Sequence, residues 1–230
     1  MSKSTGFYSQ PKHLVAVDCV VFGYEDDELK LLLYNRDLEP AKGSTSLVGG
    51  FVQEDESIED AARRVLLEIT GLENIFLEQV SAFSEVSRDL AERVISIAFA
   101  ALIRVDEYNH ELVKKMGAYW VPVKEVPQLI FDHNQMVDNA LEFLQKKSSY
   151  DLTGKELLPD KFTLTELRLL YEAIFQRPFD PGNFRKKILS LNLLERLNEK
   201  DRQSSKKGAF YYQFKKNEEI TIGDRIFKIH

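Results

Sequence analysis

Residues 50–72 read Gly50-Phe51-Val52-Gln53-Glu54-Asp55-Glu56, then Ser57 through Arg63, then Arg64-Val65-Leu66-Leu67-Glu68-Ile69-Thr70-Gly71-Leu72. Ser57 followed three residues later by Asp60 approximates a capping box, with Asp in place of Glu or Gln. Gly71 stands where a helix closes in a left-handed turn. Between them Ile58, Ala61, Ala62, Val65, Leu66 and Ile69 recur at helical spacing, so the segment is predicted to be an amphipathic helix. Val65, Glu68 and Ile69 then share one face of adjacent turns. On its own, such a helix is a core element with one solvated carboxylate, Glu68.

The whole stretch carries more. It resembles the Nudix box, whose usual form is Gly, five residues, Glu, seven residues, Arg-Glu, two residues, Glu-Glu, one residue, Gly and an apolar residue. Gly50, Glu56, Arg64, Glu68, Gly71 and Leu72 fall at that spacing. The Glu after the Arg is Val65, and the second Glu of the pair is Ile69. In a working Nudix hydrolase that face holds three carboxylates. They hold Mg²⁺, a hard cation that takes oxygen ligands, against a diphosphate, and the metal activates the attacking water. The resemblance with these two losses implies a scaffold with little or no hydrolase activity, no catalytic residues, no metal ligands and no cofactor. Mg²⁺ enters only under the alternative, a Nudix hydrolase of a nucleoside diphosphate derivative with an accessory C-terminal domain.

Length suits two unequal domains: the chain has 230 residues. With 43% hydrophobic and 30% charged residues it has the composition of a soluble globular protein. No apolar run approaches a membrane span, and Met1 to Gly6 lacks a signal-peptide core, so a cytoplasmic protein without membrane partners is expected. The single cysteine, Cys19, forms no internal disulfide and lies in the apolar stretch Val15 to Phe22, where a buried thiol is expected. Charge is uneven. Residues 1–150 hold 15 Lys and Arg against 25 Asp and Glu, whereas residues 151–230 hold 16 against 12. A basic rear segment points to a polyanionic partner.

Residues 13–22 and 29–34 read as strands around the acidic turn Glu25 to Glu28. Leu77 to Phe83 and Arg93 to Val105 are further strands, and Tyr119 to Pro122 is a short edge strand. Asn134 to Lys147 is predicted helical, with Asn134 as cap and Val137, Ala140, Leu141 and Leu144 on its apolar face. Helices on a mixed sheet make an α/β fold, the Nudix α/β/α sandwich. Arg88-Asp89, Arg93 to Phe99, Trp120 to Val123 and Phe131-Asp132-His133 are similar, in order, to segments of ADP-ribose-related Nudix proteins. Their Arg-Asp-Pro-Arg-Gly turn reads Arg88-Asp89-Leu90-Ala91-Glu92 here, a departure that counts against ADP-ribose itself. Residues 148–161 read as a polar connector, with one helical turn at 155–158.

Beyond it, Thr163 or Thr165 can cap a helix whose apolar face is Leu164, Leu167, Leu170, Tyr171 and Ile174. A turn follows, and Pro181 suits the first position of a second helix capped by Asp180. That helix turns Asn183, Arg185, Lys186 and Lys187 outward while Phe184, Ile188 and Leu191 face in. Leu193 to Leu197 and Ala209 to Phe214 then read as two strands around a loop holding Lys200, Arg202, Ser204, Ser205, Lys206 and Lys207. Helix, turn, basic helix and basic-tipped hairpin is the layout of a winged helix-turn-helix. Such a unit places a helix in the major groove and lays the wing's cations along adjacent phosphates, which supply most of the affinity. The DNA contacts expected are Thr163, Asn183, Arg185, Lys186, Lys187, Arg202, Ser204, Lys206 and Lys207.

Taken together, the order of segments closely resembles the Nudix-related transcriptional regulators over almost the whole chain. The resemblance implies an effector-sensing Nudix domain over 1–150 and a C-terminal winged-helix DNA-binding domain over 151–230. It further implies a homodimer on double-stranded operator DNA, released or recruited by a small-molecule effector. The effector would be a sugar such as arabinose, linking the protein to carbohydrate metabolism, or an ADP-ribose-like metabolite; loss of the carboxylates makes a neutral sugar the more plausible. The ligand-binding residues it nominates are Glu56, Arg64, Glu68, Arg88, Arg93 and His133. An Arg64–Glu68 pair at helical spacing also has a purely structural reading.

Overall fold

The computed structural model describes residues 10–37, 39–73, 75–104, 110–150, 157–202, 208–215 and 227. Strands β1 (Leu14–Glu25) and β2 (Glu28–Asn35) form a hairpin around Asp26 and Asp27, whose φ values of 54° and 61° make a two-residue turn matched to strand twist. Strands β3 (Thr45–Ser46) and β4 (Val48–Phe51) lead into helix α1 (Ile58–Thr70). Strands β5 (Phe76–Phe83) and β6 (Val94–Arg104), helix α2 (His110–Lys115), strand β7 (Ala118–Pro122), a 3₁₀ turn over Val123–Glu125 and helix α3 (His133–Tyr150) follow. The seven strands form one sheet in the order β3-β2-β1-β6-β5, with β4 added to β1 and β7 to β2. The β1–β6 pairing is parallel and the others are antiparallel, so the sheet is mixed as expected.

Alternation along β1 and β6 makes the sandwich. Val17, Cys19, Val21, Phe99, Ala101 and Ile103 pack with Ala61, Ala62, Val65, Leu66 and Ile69 of α1. Val20, Phe22, Ala98, Ala100 and Leu102 face the other way, onto Met136, Val137, Ala140 and Leu144 of α3. The ends of α1 are set by the two residues read from sequence. The Ser57 hydroxyl oxygen accepts from the Asp60 N–H at 3.1 Å, and its own proton goes to the Asp60 carboxylate at 2.7 Å. Gly71, at φ 74°, closes the helix by donating its N–H to the Leu67 carbonyl.

The rear part consists of strand β8 (Phe162–Thr163), helices α4 (Leu164–Phe175) and α5 (Pro181–Ser190), and strands β9 (Leu194–Asp201) and β10 (Ala209–Phe214). Its three-stranded sheet has the order β8-β10-β9. Thr163 caps α4 through a complete capping box with Glu166, and Asp180 caps α5 with Pro181 in its first turn. This is a winged helix.

Three readings need correction. Asn134 is not a helix cap: α3 begins at His133, and the Asn134 amide braces residues 127–129, accepting from Leu129 N–H and donating to the Pro127 carbonyl. The connector is not polar throughout. Helix α3 runs on to Tyr150 with Ser148 and Ser149 buried, and Leu157 and Leu158 are each 4% exposed in the same apolar cluster as α3, α4 and α5. Residues 155 and 156 of the helical turn expected there lie outside the described residues. The first wing strand also runs four residues past Leu197, because pairing with β10 continues to Asp201 and Ala209.

Candidate functional site

A cleft open to solvent lies where β1, β4, the loop 84–93 and the start of α3 converge. Ala16, Asp18, Arg36, Leu47, Gly49, Phe51, Arg88, Asp89, Phe131 and His133 are among the residues that line it. Its polar wall is built in layers. Asp18 lies in the otherwise apolar run Val15 to Phe22 of β1 and is 8% exposed. Its carboxylate accepts from the Ser96 hydroxyl at 2.5 Å and lies 3.9 Å from Arg88 Nη2. Arg88, with its side chain 3% exposed, donates twice to Asp132, at 2.9 and 2.6 Å. This planar two-pronged pairing fixes the guanidinium in position. Arg36 donates to the Pro40 carbonyl, and its guanidinium lies 5.8 Å from the centre of the Phe131 ring.

His133 completes the wall. Its Nδ1 accepts from the Leu47 N–H at 3.2 Å, which places the proton of the neutral ring on Nε2, 3.7 Å from Asp18 Oδ1. Burial pushes this imidazole below its ordinary value. Asp18 and Asp132 oppose that shift, and Arg88 and Arg36 reinforce it. Gly49 lets the strands approach. A Cβ there would sit 2.7 Å from the Val17 carbonyl oxygen and closer still to Asp18 Oδ1, so any side chain displaces the carboxylate.

Of the six residues expected to bind ligand, the fold brings Arg88 and His133 together in this cleft. The other four lie outside its lining. Glu56 accepts twice from Arg64, at 3.0 and 2.7 Å, and once from the Gln53 N–H. Arg64 also donates to the Phe51 carbonyl. These bonds, the Arg64 pairs first, hold the Glu56 carboxyl below its usual range, and the group staples residues 51–56 to α1. Glu68, 56% exposed, lies 3.5 Å from Arg64. Val65 and Ile69 are 3% and 8% exposed and belong to the core between α1 and the sheet. Arg93 donates to the Glu85 and Val94 carbonyls and ties down the loop. Sequence reasoning missed Asp18, Ser96 and Asp132. The available signal was an aspartate inside Val15 to Phe22, since a buried carboxylate requires partners.

The second surface is on the winged helix. Asn183, Arg185 and Lys186 are exposed on α5 and Lys187 is half-buried, while Phe184 and Ile188 point inward. Arg202 is exposed at the end of β9; Ser204, Lys206 and Lys207 lie outside the described residues. Thr163 does not belong with them. It is 2% exposed, and its hydroxyl is engaged as the α4 cap, which removes it from any DNA contact. Sequence reasoning passed over Arg196, whose guanidinium lies 4.6 Å from the Phe210 ring centre, with Lys200 on the same ring at 4.4 Å.

A sandwich bearing a cleft, joined to a winged helix with a cationic second helix, defines a ligand-sensing DNA-binding protein. Residues 12–142 match the family described as the NUDIX domain, and residues 154–214 match the NrtR DNA-binding winged helix domain. The ADPR responsive transcriptional repressor NtrR of Acinetobacter baylyi is 30% identical over 208 residues, 89% of this chain and 83% of the relative. The structure of Shewanella oneidensis NrtR complexed with a 27mer DNA superposes with TM-score 0.79 at 30% identity, covering 92% of this chain and 96% of that one. The NUDIX domain of the same protein, complexed with ADP ribose, superposes with TM-score 0.54 at 30% identity, over 63% of this chain and 99% of that one. An ADP-ribose pyrophosphatase of Methanocaldococcus jannaschii is 32% identical over 134 residues, 56% of this chain and 73% of the relative. The chain belongs to the NrtR family of Nudix-related transcriptional regulators, in which an effector-sensing Nudix domain is followed by a DNA-binding winged helix.

Proposed function

We propose that this regulator binds ADP-ribose in the Asp18–Arg88–His133 cleft without hydrolysing it, and that binding changes its hold on operator DNA as a homodimer. The observation that carries the reading is the burial of Val65 and Ile69 at the two positions where the Nudix box has carboxylates. The remaining acid, Glu68, is paired with Arg64 instead of facing a second carboxylate. This side-chain set does not fit a Mg²⁺ cluster, which needs several oxygen donors converging on one point. A ligand is then held by shape, aromatic surface and hydrogen bonds. Phe51 and Phe131 offer faces for a base, and the Asp18–Arg88–His133 wall offers donors and acceptors for ribose hydroxyls and phosphate oxygens.

ADP-ribose is favoured over arabinose because it is the ligand named for both the Acinetobacter and the Shewanella relatives. The altered turn at Leu90-Ala91-Glu92 does not weigh against it here: Arg88 is buried in the cleft wall and Leu90 is 83% exposed. The alternative of hydrolysis draws on the pyrophosphatase relative and on retained Glu68.

Helix α3 connects the two surfaces. His133 at its start lines the cleft, and Gln145 three turns on donates to the Ile174 carbonyl of α4 at 3.0 Å. A ligand that prefers one placement of α3 therefore biases α4 and the DNA-contacting helix behind it. Titration calorimetry tests the site. ADP-ribose should bind the wild-type chain, and Phe51→Ala should weaken binding about tenfold, the scale of a lost base stack. Heat from arabinose but none from ADP-ribose overturns the effector assignment, and AMP release in Mg²⁺ overturns the absence of hydrolysis.

A further inference from the structure

Phe227 lies thirteen residues beyond Phe214, where the winged-helix family match ends, yet it is 9% exposed. Its ring meets four others. Centroid separations are 5.2 Å to Tyr171 and 6.0 Å to Phe175 on α4, 4.9 Å to Phe179 in the turn, and 5.4 Å to Phe184 on α5. The planes of Phe227 and Phe184 are only 5° apart, a stacked pair. Phe184 stands between Asn183 and Arg185, two of the outward residues on the first turns of α5. Arg177 covers the same cluster, 5.0 Å from the Phe179 ring and 5.9 Å from Phe175.

We infer that Phe227 is a positioning residue for DNA reading: it wedges into the junction of α4, the turn and α5 and fixes the angle at which α5 is presented. The inference rests on the reading of α5 as the DNA-contacting helix. The geometry explains why position, and not only stability, is at stake. The ring touches the supporting helix, the turn and the presenting helix at once, on top of the direct Tyr171–Phe184 and Phe179–Phe184 contacts, so its removal leaves the α4–α5 crossing held by fewer rings and free to shift. Aromatic pairs favour particular stacked and edge arrangements, so the wedge sets orientation as well as filling space. Base-edge contacts require side chains held within about half an ångström, whereas phosphate contacts tolerate displacement. Loss of the wedge should therefore reduce sequence discrimination more than general affinity.

The test uses the full chain and two duplexes: one selected by the wild-type protein from a random-sequence pool, and a scrambled version of it. Active protein is quantified by stoichiometric titration. Phe227→Ala should lower the affinity ratio between selected and scrambled duplex by at least about tenfold, the scale of one or two lost aromatic contacts, while scrambled-duplex affinity stays within about twofold. Phe227→Tyr should restore the ratio. An unchanged ratio overturns the inference, as does an equal loss on both duplexes, which is what a purely structural role produces. Should Phe227→Ala be insoluble, Phe227→Leu serves in its place, with the ratio again deciding. Arg185→Ala with Lys186→Ala in the same assay separates the two claims. If that pair leaves DNA binding intact, the reading of α5 fails. If it abolishes binding while Phe227→Ala keeps the ratio, only the role of Phe227 fails.

Discussion

Arg88 and Asp132 show how single residues make the cleft. The guanidinium is almost fully buried, and Asp132 is its close partner, Asp18 lying at 3.9 Å. Removing one member of a buried pair leaves an uncompensated charge, which costs more than the pair contributes. Asp132→Ala is expected to lower unfolding stability by about 3 kcal/mol in urea titration, and a change below about 1 kcal/mol would show the pair to be dispensable. His133 makes a pH prediction. Its folded value is depressed, so the unfolded chain takes up the proton first as pH falls. The stability from a neutral His133 is fully present above its ordinary value of 6.5 and is lost as pH drops from there through the folded value. His133→Gln should flatten the stability-versus-pH curve in that window; an unchanged slope would assign it to other groups. These contacts were not legible in the sequence. The bonds join positions 78, 44 and 86 residues apart (Asp18 with Ser96, Arg88 with Asp132, Leu47 with His133), and no local spacing encodes such distances. An aspartate within Val15 to Phe22 marked that something was buried there, but not its partners.

Elements were far more legible, because their signals are local. The Ser57 and Gly71 ends of α1, the Asp180-Pro181 start of α5 and the apolar faces of both are written within each segment and appear in the fold. Thr163 is the instructive exception. Its cap role and its proposed DNA role were both readable, and burial admits only the first. Thr163→Ala should cost about 1–2 kcal/mol through loss of the α4 cap, with DNA affinity of the folded protein unaltered; a selective loss of affinity would reinstate it as a contact. Helix α5 carries the converse expectation. Replacing Lys186 and Lys187 with Ala should abolish gel retardation and reduce the salt dependence of residual binding by up to about two units of slope, one per phosphate contact. Affinity equal to wild type would remove α5 from the interface. In α3, Gln145→Leu deletes the hydrogen bond to α4 while leaving the cleft intact. Both ligands should still bind, but ADP-ribose should no longer alter DNA affinity; full coupling in this variant would move the connection to other contacts, such as those between α4 and β2.

Across the whole molecule, one apolar cluster runs from the sheet through α3 to α4 and α5. The winged helix is thus docked on the sensing domain instead of hanging from a linker, which is what a device that converts occupancy into DNA affinity requires. The charge division fits the same arrangement, with an acidic front that repels DNA and a basic rear that meets it. Its most direct test is one titration of the full chain. ADP-ribose and Mg²⁺ are added to the protein bound to its selected fluorescent duplex, anisotropy is followed, and the nucleotide is then recovered by chromatography. DNA affinity should change by about tenfold or more, within the usual range for coupled sites, and the ADP-ribose should return intact. DNA affinity unmoved at saturating ADP-ribose, or recovery of AMP in its place, would contradict a sensor that binds without cutting.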